Sequence, residues 1–406
     1  MTDKMQWSNA LSTRPSLEAA ISEVVEQAVG KLSQKASLGI AFISNAFTSE
    51  YSRFLPLLAQ QLDVPVLIGC SGGGVVGTSS SGEAQEFEDE PALSLTLAYL
   101  PEVNIHPFHV VAEELPDLDS SPNAWVDLIE VPPEGTPQFI LLSGNIASGI
   151  NDLLKGLDFA YPGSVIVGGQ ASGGMANRIA LFCNDKLHTE GTVGIALTGN
   201  ITLDTIVAQG CRPIGTPHQI SKCDRNIILE IEEQVPLILL RDLIASLNDE
   251  EKILAQNSLF VGVAMSEFKQ DLQQGDFLIR NILGVDPSAG AIAVGDYLRP
   301  GQRLQFHLRD AQTSAQDLEF LLNKYQQEQA NKSSPVGALM FSCLGRGEGL
   351  YRKPNFDSQL FQRYIQDIPL GGFFCNGEIG PVGDSTFVHG FTSVFAICRQ
   401  SVSSEQ

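Results

Sequence analysis

The chain has 406 residues, 43% of them hydrophobic and 18% charged, which is long enough for two or three domains with substantial cores. Its net charge of −22 argues against binding to nucleic-acid backbones or to anionic membrane surfaces. No apolar run approaches the length of a membrane span, and residues 1–15 lack the apolar core of a signal peptide. The seven cysteines show no CxxC or zinc spacing, which predicts free thiols in a reducing cytoplasm, with no metal and no cofactor.

The first predicted element is an amphipathic helix over residues 16–34, whose apolar residues recur on one face. A repeat follows in which an apolar strand, a helical stretch and a second apolar strand succeed one another. Two copies have the same spacing of 25 residues between strand ends, and a looser third copy has a spacing of 29. The strand ends are Ser44 and Gly69, Ser143 and Gly168, and Ser342 and Gly371.

A loop of small residues comes after the second strand of each copy: CSGGGVVG, GQASGG and GFFCNGEIG. A further strand with alternating apolar residues follows each loop. Repeated strand–helix–strand units with additional strands are typical of an α/β protein with mixed sheets, and this is the fold class that we expect.

Between and after these repeats the pattern changes. The acidic segment 81–90 is interpreted as a solvated loop, and residues 217–235 carry the polar and turn signals of a domain boundary. From residue 258 the chain alternates short apolar runs with turns, which predicts strands. A helix is expected to begin at Ser314.

The loop at residues 69–77 matches two known patterns by letter. Gly69–Gly73 fits G-x-S-x-G, with Ser71 as a nucleophile, and Gly72, Gly74 and Gly77 fit the dinucleotide pattern G-x-G-x-x-G. Both patterns require a helix directly after the loop, whereas the sequence that follows is a poor helix former. Accessible backbone N–H groups could still hold a small anion or a ligand carboxylate, and the alternative is a tight turn without a ligand.

Two later loops carry charged residues. Arg346 follows a strand in FSCLGRGEG, and Glu378 follows the next strand in CNGEIGP. If these loops meet at one sheet edge, the Arg346 fork could hold a carboxylate and Glu378 an amine, which would suit an amino-acid zwitterion. Asn376 could add a donor and an acceptor. The alternative is that Arg346 and Glu378 simply pair with each other.

Two cysteines, one histidine and one further arginine each have a functional and a purely structural interpretation. Cys343 and Cys70 lie beside glycines and could be nucleophiles if a neighbouring group lowered their pKa. The alternative is that both are small buried apolar residues. His389 lies in a strand among phenylalanines, where a hydrogen-bonded core histidine is the plainer interpretation. Arg280 is flanked by apolar residues and is either paired or directed into a pocket.

These motifs together resemble the FIST family, named for F-box and intracellular signal transduction proteins. The amino-terminal resemblance rests on VLIGCSGGGVVG, IVGGQASGG and GCRPIG. The carboxy-terminal resemblance rests on residues 276–311, FSCLGRG, GGFFCNGEIGP and HGFTSVF. The resemblance divides the chain into an N-terminal helix over 1–35, a FIST N-like domain over 36–225 and a FIST C-like domain over 226–400.

The resemblance implies a sensory module that binds small ligands, such as amino acids, and passes a signal to a partner protein. We expect a stand-alone member without catalytic activity, with a thiol or serine enzyme and an acidic protein-binding scaffold as alternatives. The family has no established catalytic residues to carry over. The candidate ligand-binding residues are those where motif and chemistry coincide: Cys70, Ser71, Gly72, Gly73, Cys343, Arg346, Gly347, Asn376, Gly377, Glu378 and His389.

Overall fold

The computed structural model describes residues 4–144, 149–173, 178–266, 269–272 and 275–401. The chain forms two compact units: the first contains Met1–Val207 and Leu321–Gln406, and the second contains Ala208–Phe320. The first unit is built from three successive repeats with the same order of elements, and the residues of the second unit interrupt the third repeat along the chain.

The first repeat begins with a strand that the sequence analysis missed. Residues 6–12 carry polar side chains that are nevertheless buried and hydrogen-bonded: Ser8 donates to the Ala28 carbonyl, and Asn9 donates to Thr96. Segment 1–35 therefore holds a strand as well as the predicted helix. The elements are β1 (Gln6–Ser12), α1 (Leu17–Gly30), β2 (Leu38–Ser44), a 3-10 helix (Asn45–Glu50), α2 (Tyr51–Leu58), β3 (Val66–Gly72), β4 (Gly74–Thr78), β5 (Ala84–Glu88) and β6 (Leu93–Tyr99).

The second repeat follows the same order. Its elements are β7 (Val103–Val110), a 3-10 helix (Ala112–Glu114), α3 (Pro122–Ile129), β8 (Gln138–Ser143), α4 (Ile150–Ala160), β9 (Ile166–Gln170), β10 (Leu181–Cys183), β11 (Lys186–His188) and β12 (Thr192–Gly199). The third repeat starts with β13 (Thr202–Ala208), after which the chain enters the second unit.

The second unit contains a closed β-barrel in the order β14-β15-β18-β17-β16-β19. The predicted strands after residue 258 are present, and the polar segment 217–235 consists mostly of β14 (Cys211–Asp224) and β15 (Ile227–Ile231). Arg280 is paired with Asp296, with 2.7 Å between Nε and Oδ2. The elements are β14 (Cys211–Asp224), β15 (Ile227–Ile231), α5 (Pro236–Ser246), α6 (Asp249–Ala255), β16 (Leu259–Ala264), β17 (Phe277–Asp286), β18 (Ala291–Val294) and β19 (Arg303–Arg309).

The third repeat resumes with a helix that begins three residues before the expected Ser314, since Asp310 accepts a hydrogen bond from the Thr313 N–H. Its elements are α7 (Ala311–Gln327), a 3-10 helix (Glu328–Asn331), β20 (Pro335–Cys343), α8 (Gly347–Tyr351), α9 (Phe356–Tyr364), β21 (Leu370–Cys375), β22 (Glu378–Val382), β23 (Ser385–His389) and β24 (Ser393–Arg399).

The described strands of the first unit form three six-stranded sheets, and each repeat donates a hairpin to the sheet of another repeat. The three sheets have equivalent orders: β1-β6-β2-β3-β10-β11, β7-β12-β8-β9-β22-β23 and β13-β24-β20-β21-β4-β5. The central pair of each is parallel and the neighbouring pairs are antiparallel, so the mixed α/β sheets are confirmed. Hairpin exchange therefore joins the three repeats into one threefold arrangement.

The repeat signal comes from glycines that the central pairs require. Gly69, Gly168 and Gly372 occupy equivalent registers, and a Cβ atom at any of them would lie 1.8–2.3 Å from a carbonyl oxygen of the neighbouring parallel strand. In the third repeat this position belongs to Gly372, one residue beyond the Gly371 chosen from the sequence.

Side chains from all three sheets form the main core of this unit. Phe42 of β2 stacks on Phe373 of β21 with 4.9 Å between ring centroids, and Phe341 of β20 meets both rings edge-on. Separate clusters lie between α1, α2 and the first sheet, and between α3, α4 and the second. The core thus mixes residues from both family regions, and the compact units follow a different division from the boundary expected at 225/226.

Candidate functional site

Ten of the eleven sequence-predicted site residues are buried, and Asn376 is exposed. Most of them lie at or directly after the C-terminal end of β3 or β21, where the chain leaves the central parallel pair and enters the next sheet. The Gly73 N–H donates to Ser172 Oγ at 2.6 Å and Ser172 Oγ donates to the Phe374 carbonyl at 2.5 Å, while the Asn376 N–H donates to the Gln170 carbonyl at 3.1 Å. The Gly73 N–H that was expected to cradle an anion is therefore already used to join the crossovers.

The hydrolase and dinucleotide patterns lack their structural context. Strand β4 follows Gly72 and Gly73, so no helix amino terminus faces this loop. Ser71 Oγ donates to the Ser172 carbonyl and accepts from the Ala180 N–H, which locks the hydroxyl in place. Burial also raises the pKa of the Cys70 thiol well above its usual range, so this cysteine is a poor nucleophile.

Arg346 is completely buried and is held by Asp357, a residue that the sequence analysis did not single out. Nε lies 2.6 Å from Oδ2 and Nη2 lies 3.1 Å from Oδ1, which is a bidentate ion pair. Nη2 also donates to the Tyr351 hydroxyl at 2.5 Å, and Nη1 donates to the Phe391 carbonyl at 3.3 Å. The expected grip of Arg346 on a ligand carboxylate is thus replaced by a carboxylate from the chain itself.

Glu378 is also fully buried, at the start of β22. Its Oε2 accepts from the Thr392 N–H at 3.0 Å, whereas Oε1 accepts no hydrogen bond of good geometry from the described residues. Burial raises the pKa of Glu378 to about 8, against the opposing effects of the Thr392 N–H and the Arg346 charge. A carboxyl group that is mostly protonated at neutral pH is a weak partner for the ligand amine that was expected here.

The other predicted residues have mainly structural positions. His389 is buried and its Nε2 lies 3.0 Å from the Gly380 carbonyl, in agreement with a hydrogen-bonded core histidine. Gly347 adopts a φ of +64°, and a Cβ atom there would meet the carboxyl group of Glu88. Gly377 directly precedes Glu378, and its carbonyl accepts from the Gln170 N–H. Their role in binding a ligand stays a prediction.

The acidic segment 81–90 is not a solvated loop. It contains β5, which pairs with β4 at the edge of the third sheet. Glu86 is buried and accepts from the Ser358 N–H at 2.7 Å, and burial followed by the charge of Asp357 raises its pKa to about 7. Glu88 accepts from the Glu348 N–H at 2.8 Å. These carboxylates fasten the donated hairpin to the helices that precede β21.

Each repeat has an equivalent niche, where the segment after its first central strand packs against a hairpin donated by another repeat. The first niche lies between residues 45–58 and the β10–β11 hairpin, the second between α4 and β22–β23, and the third between α8–α9 and β4–β5. The second niche is closed by Asp158, which accepts two hydrogen bonds from Thr386. The third is closed by the carboxylates described above.

The first niche instead contains an open cavity of about 440 Å³. The side chains around it include four aliphatic hydroxyl groups, a phenol, an arginine and an apolar part. Arg178 is exposed and forms no ion pair within the described ranges. The lining residues are Thr48, Ser49, Tyr51, Ser52, Arg178, Ile179, Ala180, Leu187 and Thr189.

Tyr51 is the buried polar residue of this cavity, at 6% exposure. Its hydroxyl makes no hydrogen bond of good geometry in the described part of the chain, although Thr48 and Ser71 lie near it. Burial raises the pKa of the phenol, so it is a neutral donor at physiological pH. The sequence analysis missed this site, because its signal is only the hydroxyl-rich run from 48 to 52 and an arginine after a glycine-rich loop.

The described residues contain neither a cluster of metal-ligating side chains nor a helix that could span a membrane. No group of three or more His, Cys, Asp or Glu side chains there has the arrangement of a metal site. Likewise, none of the helices in the described ranges is both long and apolar enough to cross a membrane.

Comparison with known proteins identifies two regions of the chain. Residues 37–234 match the model of the FIST N domain, and residues 236–381 match that of the FIST C domain. Domains of this kind are associated with small-ligand sensing in signal transduction.

The chain is also similar to individual proteins, over nearly its whole length in one case and over parts of it in others. It is 31% identical over 389 residues to an uncharacterized protein of Mycobacterium tuberculosis, covering 95% of this chain and 98% of the relative. It is 23% identical over 309 residues to an F-box/LRR-repeat protein of Arabidopsis thaliana, covering 64% and 57%. It is 35% identical over 74 residues to the human F-box only protein 22, covering 14% and 18%.

Proposed function

The chain belongs to the FIST family, and on that premise we propose that it is a sensory protein that binds a small ligand in the first niche and signals through a partner protein. The observation that carries this proposal is the open cavity at one of three equivalent niches. The other two are closed by carboxylates of the chain itself, whereas the first has space, donors and an arginine without an ion-pair partner in the described residues.

The ligand that fits this chemistry is a small organic carboxylate, with amino acids as the first candidates. The Arg178 guanidinium offers a planar set of donors that matches a carboxylate, and the surrounding hydroxyl groups offer further donors. The third niche supplies an internal precedent, since Arg346 there holds the Asp357 carboxylate beside the Tyr351 hydroxyl. Ile179, Ala180 and Leu187 would contact the aliphatic part of the ligand.

The cavity wall is formed by residues of two different repeats, so a bound ligand could change how these two repeats are arranged and thereby produce a signal. Tyr51 belongs to the first repeat. Leu187 lies in the β10–β11 hairpin that the second repeat donates, and Arg178 directly precedes that hairpin. A ligand that contacts both would favour the arrangement in which the two parts are closest, and it shifts the equilibrium only by its differential affinity. We place the protein in the cytoplasm, which is supported by seven cysteines that are all present as thiols.

We propose binding rather than catalysis for this site. The cavity holds no cysteine, histidine or carboxylate among its lining residues, so it lacks an evident nucleophile or general base. The enzyme alternative based on Ser71 or Cys70 loses support from the locked hydroxyl and the raised thiol pKa.

The proposal is tested by titrating the purified protein with the twenty amino acids and a panel of small carboxylates. A ligand at 100 times its Kd should stabilise the fold by about 2.7 kcal/mol, and calorimetry should give the affinity. Arg178→Met should weaken binding about tenfold to a hundredfold, as expected for the loss of a charged hydrogen bond. Arg241→Met, which changes an exposed arginine of α5, is the matched control.

Tyr51→Phe separates binding from stability. Removal of a hydroxyl that has no good partner should leave the unfolding midpoint unchanged or higher, while the affinity for the carboxylate falls. Equal affinity in Arg178→Met, Tyr51→Phe and the wild-type protein would show that the ligand does not bind in this cavity. The absence of any binding across the panel would contradict the carboxylate chemistry itself.

A further inference from the structure

Two cysteines face each other at the carboxyl ends of the central parallel strands of the third repeat. Cys343 of β20 and Cys375 of β21 are direct partners in the register, so their side chains lie on the same side of the sheet. Neighbouring strands are about 4.8 Å apart, which falls within the Cα separations of about 4.4–6.8 Å that a disulfide spans. Both cysteines are present as thiols in the structure.

The carboxyl group of Glu378 lies beside both thiols. By register, Glu378 is equivalent to Val75 and Leu181, since each is the residue of a donated hairpin that begins the pairing with its host strand. Both equivalents are fully buried apolar residues. The fold therefore does not require a buried carboxyl group at the start of a donated hairpin. Of the three equivalent positions, the one that carries a carboxyl group, Glu378, is the one beside two thiols.

The two thiols differ in their access to solvent. Cys343 retains 8% of its surface at the strand end, whereas Cys375 is completely buried. Burial, followed by the nearby Glu378 carboxyl, raises the pKa of Cys375 well above its usual range. An oxidant from solvent therefore reaches Cys343 first, and Cys375 needs a proton acceptor before it can react.

We propose that Cys343 and Cys375 form a redox modification site, at which a peroxide converts the two thiols to an intramolecular disulfide with Glu378 as the proton acceptor. This site is separate from the first niche, and neither proposal depends on the other.

The reaction balances in two steps. The Cys343 sulfur attacks one oxygen of the peroxide, the O–O bond breaks, and the leaving oxygen takes the proton of the Cys343 thiol and departs as water or an alcohol, which produces a sulfenic acid. The Cys375 sulfur then attacks the Cys343 sulfur, the S–O bond breaks, and the leaving hydroxide takes up a proton from solvent to become water. The proton of the Cys375 thiol passes to Glu378 Oε1 in the minority of molecules whose Glu378 carboxyl group is ionised at neutral pH. The two sulfurs together lose two electrons, and the peroxide gains them.

The test uses the full chain treated with hydrogen peroxide and then alkylated. Peptide mass spectrometry without reductant should find the Cys343 and Cys375 peptides linked, and dithiothreitol should release them. In Cys375→Ala the link should disappear, and a dimedone adduct should accumulate on Cys343 because the sulfenic acid is no longer resolved. Cys183→Ala, which changes a half-buried cysteine of β10, should leave the link intact.

Glu378 is tested by its effect on the second step. Glu378→Gln should slow disulfide formation by about a hundredfold, at the lower end of what a positioned proton acceptor contributes, while dimedone trapping of Cys343 continues. Glu378→Val introduces the residue found at the equivalent position of the first repeat, so it should fold and should show the same slow resolution. Thermal unfolding of each variant verifies that the fold persists.

Two outcomes would overturn the proposal. If peroxide leaves both thiols unlinked in the wild-type protein, or links Cys343 to a different cysteine, the site does not exist. If the disulfide forms as fast in Glu378→Gln and Glu378→Val as in the wild-type protein, the carboxyl group does not accept the proton.

Discussion

At the scale of single residues, the buried charges of the third niche show why an arginine can be essential without touching a ligand. Arg346 and Asp357 are both essentially inaccessible to water, and two charge-assisted hydrogen bonds join them. The loss of hydration makes each charge costly, and the pair is stable only while both members are present. Ser393 donates a further hydrogen bond to Asp357 at 2.8 Å.

Removal of one member of this ion pair should therefore destabilise the fold strongly. Asp357→Asn leaves the Arg346 charge buried without its counter-charge and should lower the free energy of unfolding by about 3–5 kcal/mol, measured by urea denaturation. Asp63→Asn is the control, because the ion pair between Asp63 and Lys35 is highly exposed and contributes only about 0–1 kcal/mol. A cost below about 1 kcal/mol for Asp357→Asn would contradict the buried ion pair.

The raised pKa of Glu378 predicts a dependence of stability on pH. The folded protein keeps this proton up to about pH 8, whereas the unfolded chain loses it near its ordinary value of 4.5. Between these values the folded state binds the extra proton, so this contribution to stability is present at low pH and is lost as the pH rises to 8. Its slope is up to about 1.4 kcal/mol per pH unit.

The measurement compares the wild-type protein with Glu378→Gln in denaturation experiments from pH 5 to pH 8. The difference between their free energies of unfolding should change across this range, with the wild-type protein losing relative stability at the higher pH. Parallel pH profiles would show that Glu378 is ionised in the folded state throughout.

At the scale of elements, the strands that the sequence predicted are those whose apolar residues come in runs, such as β2, β3, β8 and β20. Three of the strands that were missed or misread, β1, β5 and most of β14, carry polar residues along much of their length. Whether Ser8, Asn9 or Glu86 can be buried depends on hydrogen-bond partners that lie far away in the sequence. Local pattern alone cannot supply those partners.

The three equivalent glycines of the central parallel pairs should not tolerate a side chain. In Gly168→Ala the new Cβ would lie 1.8 Å from the Leu141 carbonyl oxygen, so the parallel strands must separate. We expect a loss of more than about 4 kcal/mol of stability, or failure to fold. Gly30→Ala is the control: nothing lies within 4 Å of its added Cβ, and alanine at a helix end should be neutral or slightly stabilising. Similar stability of both variants would contradict the close approach.

At the scale of the whole molecule, hairpin exchange makes the three repeats dependent on one another. The third sheet takes β4 and β5 from the first repeat, and the second sheet takes β22 and β23 from the third. A cut between the two family regions would therefore remove strands from more than one sheet and expose their edges.

Fragments test this dependence. Residues 1–225 alone should not give a cooperative unfolding transition, because β4–β5 would lack β21 as a partner. A chain in which residues 211–310 are replaced by a short glycine–serine linker should still fold, since Ser314 already donates to the Gly210 carbonyl at 3.0 Å. Circular dichroism and thermal melting distinguish the two results. A cooperative fragment 1–225 would contradict the shared sheets.

The α/β class and the repeated strand–helix–strand units could be predicted from the sequence, because apolar runs and glycines next to a parallel strand leave local signals. The FIST regions were predicted from the resemblance of several motifs to that family. It also drew attention to Arg346, Glu378 and Cys343 by residue type. Three findings required the folded chain: Asp357 neutralises Arg346, Cys375 faces Cys343, and the cavity lies beside Tyr51 and Arg178. The cavity depends on which hairpin enters the first sheet, and the two side-chain pairs depend on which strands and helices of the third repeat meet. These are long-range contacts that no local pattern encodes.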